Sequence, residues 1–273
     1  MKLSIITINR NNSEGLRRTI ESVLSQTNRD IEYIIVDGAS TDNSVDVIRA
    51  SAIQAVDLDL KWISEPDKGI YNGMNKGIKM ATGEYIQILN SGDILAAPDV
   101  TERMVEALPN EADILYGNMV KYDYVSNKIM GKSGEVEYSL RQYFSGTLNH
   151  DCCYIRRDLF DTYGLYDENL KIVSDWKWFL QAIGLGKVKP IYVDIDVTIF
   201  DASGISESNL ELRNKERRQV IEAVLPRAVL TDYDAHAFEM EQMRRLRRHH
   251  LYGIIYFMER VLFKLEKWHI LKR

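Results

Sequence analysis

The stretch from Glu65 to Asp93 reads EPDKGIYNGMNKGIKMATGEYIQILNSGD, and it decides the fold. An acidic loop with Glu65 and Asp67 leads into a predicted helix, which leads into a predicted buried strand, Tyr85–Leu89. That strand runs directly into a small polar turn, Asn90–Asp93. In a parallel α/β sheet, ligands bind at the carboxyl ends of the strands. A carboxylate there can hold a divalent cation, and the cation a diphosphate, so the pattern indicates a nucleotide-sugar site.

Apolar runs and amphipathic segments alternate through the first hundred residues. The predicted strands are Leu3–Ile8, Tyr33–Val36, Leu60–Ile63 and Tyr85–Leu89, and a predicted helix follows each of the first three. Such alternation implies right-handed crossovers. We therefore expect an α/β fold with a mostly parallel sheet flanked by helices, in which residues 1–95 form the nucleotide-binding half.

The pattern changes after residue 95. A hairpin is predicted around residues 125–127, a short strand at 151–155, a helix at 174–183 and another strand at 188–199. Two helical segments, predicted at 210–224 and roughly 233–271, follow a small polar loop. We expect one domain over residues 1–208, whose second half (96–208) holds the acceptor, and a basic helical extension over residues 209–273.

Composition restricts the class of protein. The chain has 273 residues, enough for one large α/β domain with an appendage, and no apolar run long enough to span a membrane. No signal peptide is predicted, and the adjacent Cys152 and Cys153 are expected to be buried thiols, so we expect a cytoplasmic protein. Residues 241–273 carry a net charge of +6 in a chain of net −5, so the body is acidic, which is not the footprint of a nucleic-acid binder.

Polar turns follow the first two predicted strands. Thr7 to Asn11 offer hydrogen-bonding groups where a nucleoside can lie, and Asp37 can accept a hydrogen bond from a base N–H. An Asp after a strand is also an ordinary turn or capping residue, so each turn alone is a weak signal. The chain contains neither a GxGxxG nor a GxxxxGK[ST] motif, which argues against a dinucleotide-binding dehydrogenase and a P-loop enzyme.

Taken together, the segments TINRNN, IIVDGASTDNS, EPDKGIYNGMNKGI and GEYIQILNSGD resemble, in order and spacing, the family 2 inverting glycosyltransferases of the GT-A fold. The later segment NHDCCYIRRDLFDTYGLYDENLKIVSDWKWFL is similar to the acceptor-side region of that family, so the resemblance covers roughly residues 1–205. It implies that Thr7, Asn9, Asp37, Asp67 and Ser91 bind the nucleotide. It also implies a UDP-linked donor and a Mn²⁺ or Mg²⁺ cofactor.

The metal turn departs from the family pattern. The family commonly has Asp-x-Asp, often followed by another Asp, whereas this chain has Asn90-Ser91-Gly92-Asp93 and keeps a single carboxylate. One Asp can suffice when the diphosphate and water supply the other ligands. We assign Asp93 to the metal; the alternative is an Asp that only hydrogen-bonds the turn backbone.

The resemblance also places the catalytic base. An inverting transfer needs a carboxylate to remove the proton of the acceptor hydroxyl, and Asp175 in Ser174-Asp175-Trp176 matches the family position, with Ser174 as a candidate N-cap. Trp176 can wall the sugar or acceptor site, although a core role explains it equally. His150 can contact the acceptor or the diphosphate, or be a structural histidine.

Two basic segments remain. The loop 201–208 and the basic residues that follow it, Arg213 to Arg218, can form a lid over the diphosphate, or simply a solvated helix start. Residues 240–273 combine basic residues with apolar residues at helical spacing. Such a helix can lie on an anionic membrane surface, at the inner face of the cell membrane, or pack on protein.

We therefore predict a glycosyltransferase that moves a sugar from a nucleoside diphosphate sugar to a hydroxyl of a saccharide or lipid-linked saccharide, with inversion, in cell-surface polysaccharide synthesis. Two alternatives stay open at this stage. A sugar nucleotidyltransferase would share the sheet and the metal, but would usually carry a Gly-rich basic loop after the first strand. A non-catalytic nucleotide-sugar-binding protein would bind the donor without hydrolysing it.

Overall fold

The computed structural model describes residues 3–109, 112–136, 139–201, 209–248 and 252–267. The chain divides into two compact units, Met1–Val220 and Ile221–Arg273. The domain boundary predicted between residues 208 and 209 stays a prediction. Residues 202–208, which carry most of the predicted lid loop, lie outside the described residues.

The first unit alternates strands and helices as predicted. Its described strands are β1 (Leu3–Asn9), β2 (Ile31–Asp37), β3 (Asp59–Ser64), β4 (Tyr85–Asn90), β5 (Ile94–Leu95), β6 (Ile114–Asp123), β7 (Lys128–Lys132), β8 (Cys153–Arg156) and β9 (Pro190–Asp201). Its described helices are α1 (Ser13–Leu24), α2 (Ser44–Gln54), α3 (Ile70–Met80), α4 (Val100–Glu106), α5 (Leu140–Ser145), α6 (Leu159–Tyr163) and α7 (Ser174–Phe179), and α8 (Leu210–Val224) starts in this unit.

The described strands form one sheet in the order β3-β2-β1-β4-β8-β6-β9-β5, with β7 paired to β6. Strands β1 to β4 pair in parallel, so their carboxyl ends meet at one edge. The strand β8 runs antiparallel to both β4 and β6, which joins the second half to the first. The α/β prediction is confirmed; the parallel part lies in the first half, and the second half is mixed.

Close packing fixes helix α3 against the sheet. Strands β1 and β2 are buried along their whole length, because helices cover both faces of a parallel sheet. On α3, Gly77 faces Ile6 of β1, and a Cβ atom at Gly77 would lie 2.3 Å from the Ile6 side chain. Only glycine allows so close an approach of helix and strand. One turn earlier in α3, Gly73 faces Ile8 in the same way, so the start of the helix lies near the carboxyl end of β1.

A buried carboxylate far from that edge holds the sheet together. Glu32 of β2 accepts hydrogen bonds from the Ser4 hydroxyl, the backbone N–H of Thr82 and the Lys61 ammonium group. Burial alone would raise the pKa of Glu32, but these donors lower it to about 2. The sequence analysis did not single out Glu32, because its partners lie 28 to 50 residues away along the chain.

Several predicted elements need correction. The strand predicted at 151–155 is a 3₁₀ turn at His150–Cys152 followed by β8, and the predicted helix 174–183 is α7 followed by a π-helical turn at Leu180–Gly184. The short elements β5 and α4 were not predicted. The two cysteines are buried and unpaired, as expected.

The second unit is helical in its described part. It contains α9 (Arg227–Arg248) and α10 (Tyr252–Lys267), where the sequence predicted one helix over 233–271. Apolar side chains of α10 are exposed, with Phe257 68% and Phe263 65% accessible. None of the described helices combines the length and the apolar character that a bilayer crossing requires.

Candidate active site

A cavity of about 510 Å³ opens where the parallel strands end. Its walls come from the turns after β1, β3 and β4, the start of α3, the 3₁₀ turn and the start of α7. The lining residues used below are Asn9, Arg10, Asn12, Asp67, Tyr71, Asn90, Ser91, Asp93, His150, Ile172, Asp175 and Asp201. Six of the nine residues predicted for the site line this cavity; Thr7, Asp37 and Trp176 do not.

Asp37 ties the first three turns together. One carboxylate oxygen accepts a hydrogen bond from the Asn9 amide at 2.8 Å, and the other accepts from the backbone N–H of Ser40 at 2.9 Å and the Ser64 hydroxyl at 2.7 Å. Burial would raise the pKa of Asp37, but these donors hold it below its usual value. Asp37 is fully buried, and it shapes the cavity through Asn9.

Thr7 lies in the core of the sheet. Its side chain is fully buried, and its hydroxyl accepts a hydrogen bond from the Tyr33 hydroxyl at 3.0 Å. The strand β1 reaches the cavity at the next two residues, Ile8 and Asn9. The structure therefore does not bring the Thr7 side chain to the position that the sequence analysis gave it.

Asp67 lines the cavity and lies where three turns meet. Its carboxylate accepts a hydrogen bond from the Gly69 N–H and lies 3.6 Å from the Arg10 guanidinium group. The second turn passes so close that a Cβ atom at Gly38 would lie 2.2 Å from an Asp67 oxygen. The turns after β1, β2 and β3 thus meet around this carboxylate.

Asp175 is held by groups from two other elements. One oxygen accepts a hydrogen bond from the Tyr71 hydroxyl of α3 at 2.9 Å, and the other lies 3.2 Å from His150 Nδ1. The opposite ring nitrogen of His150 lies 3.4 Å from the Asn90 amide nitrogen at the end of β4. Asp175 lies in the first turn of α7, as predicted, but Val173 is the N-cap.

The charges of this cluster support one another. Burial would raise the pKa of Asp175, yet His150 and Tyr71 lower it. Burial would lower the pKa of His150, but the Asp175 carboxylate raises it to about 8. Asp175 is therefore an anion at neutral pH, and His150 is largely its protonated partner.

Asp93 is a buried carboxylate at the wall of the cavity. One oxygen accepts a hydrogen bond from the Asp201 N–H at 3.0 Å, whereas Oδ2 is buried and has no hydrogen-bond partner among the described residues. Burial, and then the negative charge of Asp151, raise the pKa of Asp93 to about 7. His150 lowers the pKa of Asp93, but not enough to offset burial and the charge of Asp151, so the negative charge of Asp93 is only partly compensated.

The Asp93 environment fits a divalent cation that the protein binds through few ligands. A carboxylate oxygen without a partner is a hard ligand of the kind that Mg²⁺ and Mn²⁺ prefer. No group of three potential His, Cys, Asp or Glu ligands occurs in the part of the chain that the structure describes. The remaining ligands would therefore have to come from diphosphate and water.

Trp176 belongs to the core. It is 2% exposed, and its indole N–H donates to the carbonyl oxygens of Tyr143 and Gly146. Trp178 is equally buried and donates to the Gly164 carbonyl. Of the two alternatives for Trp176, the structure favours the core role, although the residue also borders a second, smaller cavity.

The sequence analysis missed several residues of the cavity. Tyr71 stands inside the quoted stretch, at the first turn of α3, but nothing in the sequence links it to Asp175, 104 residues later. Asp201 reaches Asp93 across 108 residues. Arg10 and Asn12 follow β1 directly, and their position after a strand was the available signal.

The ion pair predicts how stability depends on pH. The pKa of His150 is raised from 6.5 to about 8 in the folded protein, so its stabilisation is fully present below pH 6.5 and is lost as the pH rises through 8. In urea unfolding between pH 6 and pH 9, His150 should account for a loss of about 2 kcal/mol in the free energy of unfolding, and Asp93, whose pKa is raised to about 7, should add a further loss. In Asp175→Asn the His150 part of the loss should be largely abolished, because the histidine no longer has its anionic partner, whereas the Asp93 part should remain. An equal loss in both proteins would contradict the ion pair.

Comparison with known proteins agrees with this geometry. Residues 4–164 match the model of the glycosyl transferase family 2. An uncharacterized glycosyltransferase of Mycobacterium tuberculosis is 31% identical over 211 residues, which cover 74% of this chain and 76% of the relative. A PGL/p-HBAD biosynthesis glycosyltransferase of Mycobacterium bovis is 27% identical over 205 residues, which cover 74% of this chain and 77% of the relative.

Solved structures agree on the fold. Staphylococcus aureus TarS 1-349, in complex with UDP-GlcNAc, matches with a TM-score of 0.64 at 19% identity, over 88% of this chain and 73% of that one. The mannosyltransferase PcManGT of Pyrobaculum calidifontis, in complex with GDP-Man and Mn²⁺, matches with a TM-score of 0.61 at 15% identity, over 96% and 85%. The chain thus belongs to glycosyl transferase family 2 and is a glycosyltransferase with a GT-A-like fold.

Proposed function

We propose that this glycosyltransferase transfers a sugar from a UDP-sugar to a hydroxyl group of a saccharide, with inversion at the anomeric carbon. The observation that carries the proposal is the position of Asp175, an anionic carboxylate at the wall of the cavity, fixed by Tyr71 and His150. A base that is already oriented lowers the cost of reaching the reactive geometry. Family membership favours this transfer over the nucleotidyltransferase alternative.

The nucleotide occupies the side of the cavity near the ends of β1 and β3. Asn9, Asp67 and Ser91 line that side and offer hydrogen-bonding groups for the nucleoside and phosphates. Asp37 positions the Asn9 side chain by accepting a hydrogen bond from its amide group. Thr7 is part of the same strand as Asn9 and contributes only through the backbone of that strand. Two structural neighbours are complexes with UDP-GlcNAc and GDP-Man, which supports a nucleoside diphosphate donor.

A divalent cation, Mn²⁺ or Mg²⁺, would be held by the Asp93 carboxylate, whose Oδ2 has no hydrogen-bond partner among the described residues, together with the diphosphate. When bound, it neutralises charge on the diphosphate leaving group. Asp93 contributes one oxygen and keeps its other oxygen on the Asp201 N–H, so the carboxylate stays oriented. The Mn²⁺ in the PcManGT complex supports this assignment.

The chemistry then follows from the position of the base. The acceptor oxygen forms a bond to the anomeric carbon while the bond from that carbon to the diphosphate oxygen breaks. The proton of the acceptor hydroxyl passes to Asp175, and His150 and Tyr71 keep this carboxylate in place. Because the pKa of Asp175 is low, the carboxylate is a modest base that is always in the reactive, ionised form.

The acceptor is a saccharide or lipid-linked saccharide of cell-surface polysaccharide synthesis. A relative named for PGL/p-HBAD biosynthesis supports a biosynthetic role. We place the enzyme in the cytoplasm, at the inner face of the membrane, where the basic end of α9 and the exposed apolar residues of α10 contact anionic lipid.

Replacing the base tests the reaction. Asp175→Asn keeps the shape of the side chain and removes its basicity, so the hydrolysis of UDP-glucose, UDP-galactose or UDP-GlcNAc should fall ~10²–10⁴-fold, measured as UDP release. The affinity of Asp175→Asn for UDP, measured by calorimetry, should equal that of the wild-type protein. The exposed Asp161→Asn is the matched control and should leave both quantities unchanged. Wild-type rates in Asp175→Asn would overturn the assignment.

Replacing Asp93 tests the cation. Asp93→Asn should weaken UDP binding ~10-fold or more in Mn²⁺, because a neutral amide is a poorer ligand than a carboxylate. In EDTA, the variant and the wild-type protein should bind UDP equally. A loss of the same size in EDTA would show that Asp93 supports the turn without holding a metal.

Membrane contact is tested by charge removal in the full chain. Four exposed arginines end α9, and they are Arg244, Arg245, Arg247 and Arg248. Changing all four to Gln should weaken binding to phosphatidylglycerol vesicles at least ~10-fold, since each cation near an anionic surface adds about 1 kcal/mol. The control changes four exposed cations elsewhere, Arg17, Arg29, Arg49 and Lys128, to Gln. Equal losses in the two variants, or no vesicle binding by the wild-type protein, would refute membrane contact.

A further inference from the structure

A second cavity, of about 150 Å³, lies next to the first. The two cavities share His150, Ile172 and Asp175 in their walls. The metal residue Asp93 borders only the larger cavity, and Trp176 borders only the smaller one. The proposed base therefore stands between a donor cavity and a second space that the donor chemistry does not use.

The second cavity is lined by two arginines from one face of α8. Arg213 and Arg217 are four residues apart, so they project from the same side of the helix. Between them, the buried Glu216 accepts hydrogen bonds from the backbone N–H groups of Lys171 and Ile172 at 2.8 and 2.9 Å. Glu216 thus anchors this face of α8 to the loop that precedes α7.

The Arg217 guanidinium group packs against Trp176, and Arg213 has an N–H donor without a hydrogen-bond partner among the described residues. The Arg217 guanidinium carbon lies 5.1 Å from the centre of the Trp176 ring, and that ring is itself fixed by two hydrogen bonds of its indole N–H. Arg213 Nε is buried and has no hydrogen-bond partner among the described residues. Buried donors without partners are costly, so this arrangement is suited to an acceptor from a ligand.

The balance of charge favours an anion. The carboxylates that line the second cavity are Asp175, which pairs with His150, and Asp151, which accepts a hydrogen bond from the Thr198 hydroxyl. Burial raises the pKa of Asp151, which reduces its negative charge. Two arginines therefore face a space whose carboxylates are already engaged. Arginine binds phosphate and carboxylate groups through paired hydrogen bonds.

We infer that the second cavity binds an anionic group of the acceptor, a phosphate or a carboxylate, beside the hydroxyl that attacks the donor. The inference rests on the proposed function. An attacking hydroxyl must reach the anomeric carbon from the side opposite the diphosphate, and its proton must reach Asp175. Asp175 lines the second cavity, and the proposed metal residue Asp93 does not. Its volume is below the range typical of whole-ligand pockets, and suits one charged group of a larger acceptor.

The test uses the full-length protein saturated with UDP and Mn²⁺, so that the donor cavity is filled. Glucose 1-phosphate, glucuronate and glucose are then titrated by calorimetry. We expect one of the two anionic sugars, the one whose charged group is the phosphate or the carboxylate that the cavity binds, to bind at least ~10-fold more tightly than glucose. A preference for glucose 1-phosphate would identify a phosphate, and a preference for glucuronate a carboxylate.

Variants locate the binding. Arg213→Gln and Arg217→Gln should each weaken binding of the preferred anion ~10-fold or more and leave the affinity for UDP unchanged. Lys215→Gln removes one positive charge from the exposed side of the same helix and should have no effect. Thermal melting establishes that each variant is folded.

Two results would overturn the inference. One is that neither anionic sugar binds more tightly than glucose. The other is that Arg213→Gln and Arg217→Gln lose no more affinity than Lys215→Gln, which would place the anion elsewhere. Both results are distinct from failure of the proposed function, which would appear earlier, as failure of the wild-type protein to bind UDP.

Discussion

The site depends on one constraint, the buried carboxylate of Asp37. Parallel strands bring several turns to one edge of the sheet, but they do not fix how these turns face each other. Asp37 does so by accepting hydrogen bonds from Asn9, Ser40 and Ser64, which belong to the first three turns. A buried anion is tolerated only when donors surround it, so each of these turns has little freedom to move. The side of the cavity near the ends of β1 and β3, where we propose that the nucleotide binds, is therefore preorganised by a residue that does not line the cavity.

The sequence predicted the edge of the sheet where the site lies, because hydrophobic periodicity and strand order determine that edge. It did not separate the polar side chains that line the cavity from those that are enclosed in the core, such as Thr7 and Asp37. Thr7 and Asn9 have the same alternation along β1, yet Thr7 is enclosed with Tyr33, and Asn9 lies at the open end. Distance from the strand end decides between core and cavity, and a sequence pattern locates that end only to within a residue or two.

Contacts across long stretches of chain were beyond the reach of the sequence pattern. Asp175 was identified through its resemblance to a family position, whereas Tyr71, which orients it, was not. The same holds for Asp201 beside Asp93 and for Glu216, which anchors α8. Each of these residues acts on a partner 44 or more residues away, so no local spacing reveals it.

Asp93, the proposed metal ligand, and Asp175, the proposed base, show how surroundings shift the pKa of two carboxylates in opposite directions. Asp175 is partly buried and lies next to His150, so its pKa is lowered and it stays ionised at neutral pH. Asp93 is buried beside Asp151, so its pKa is raised and its charge is incompletely compensated by the protein. The difference comes from the sign of the nearest charge, since burial acts on both in the same direction.

Within the proposed function, this difference would let a turn with a single carboxylate serve a metal-dependent transfer. An Asp-x-Asp turn offers two carboxylates to a cation, whereas the Asn90-Ser91-Gly92-Asp93 turn offers one, so a cation held there would take more of its ligands from the diphosphate. The cation and the donor would therefore each bind more tightly in the presence of the other. Without a cation, the raised pKa of Asp93 lets this buried carboxylate take up a proton near neutral pH, which reduces the free-energy cost of its burial.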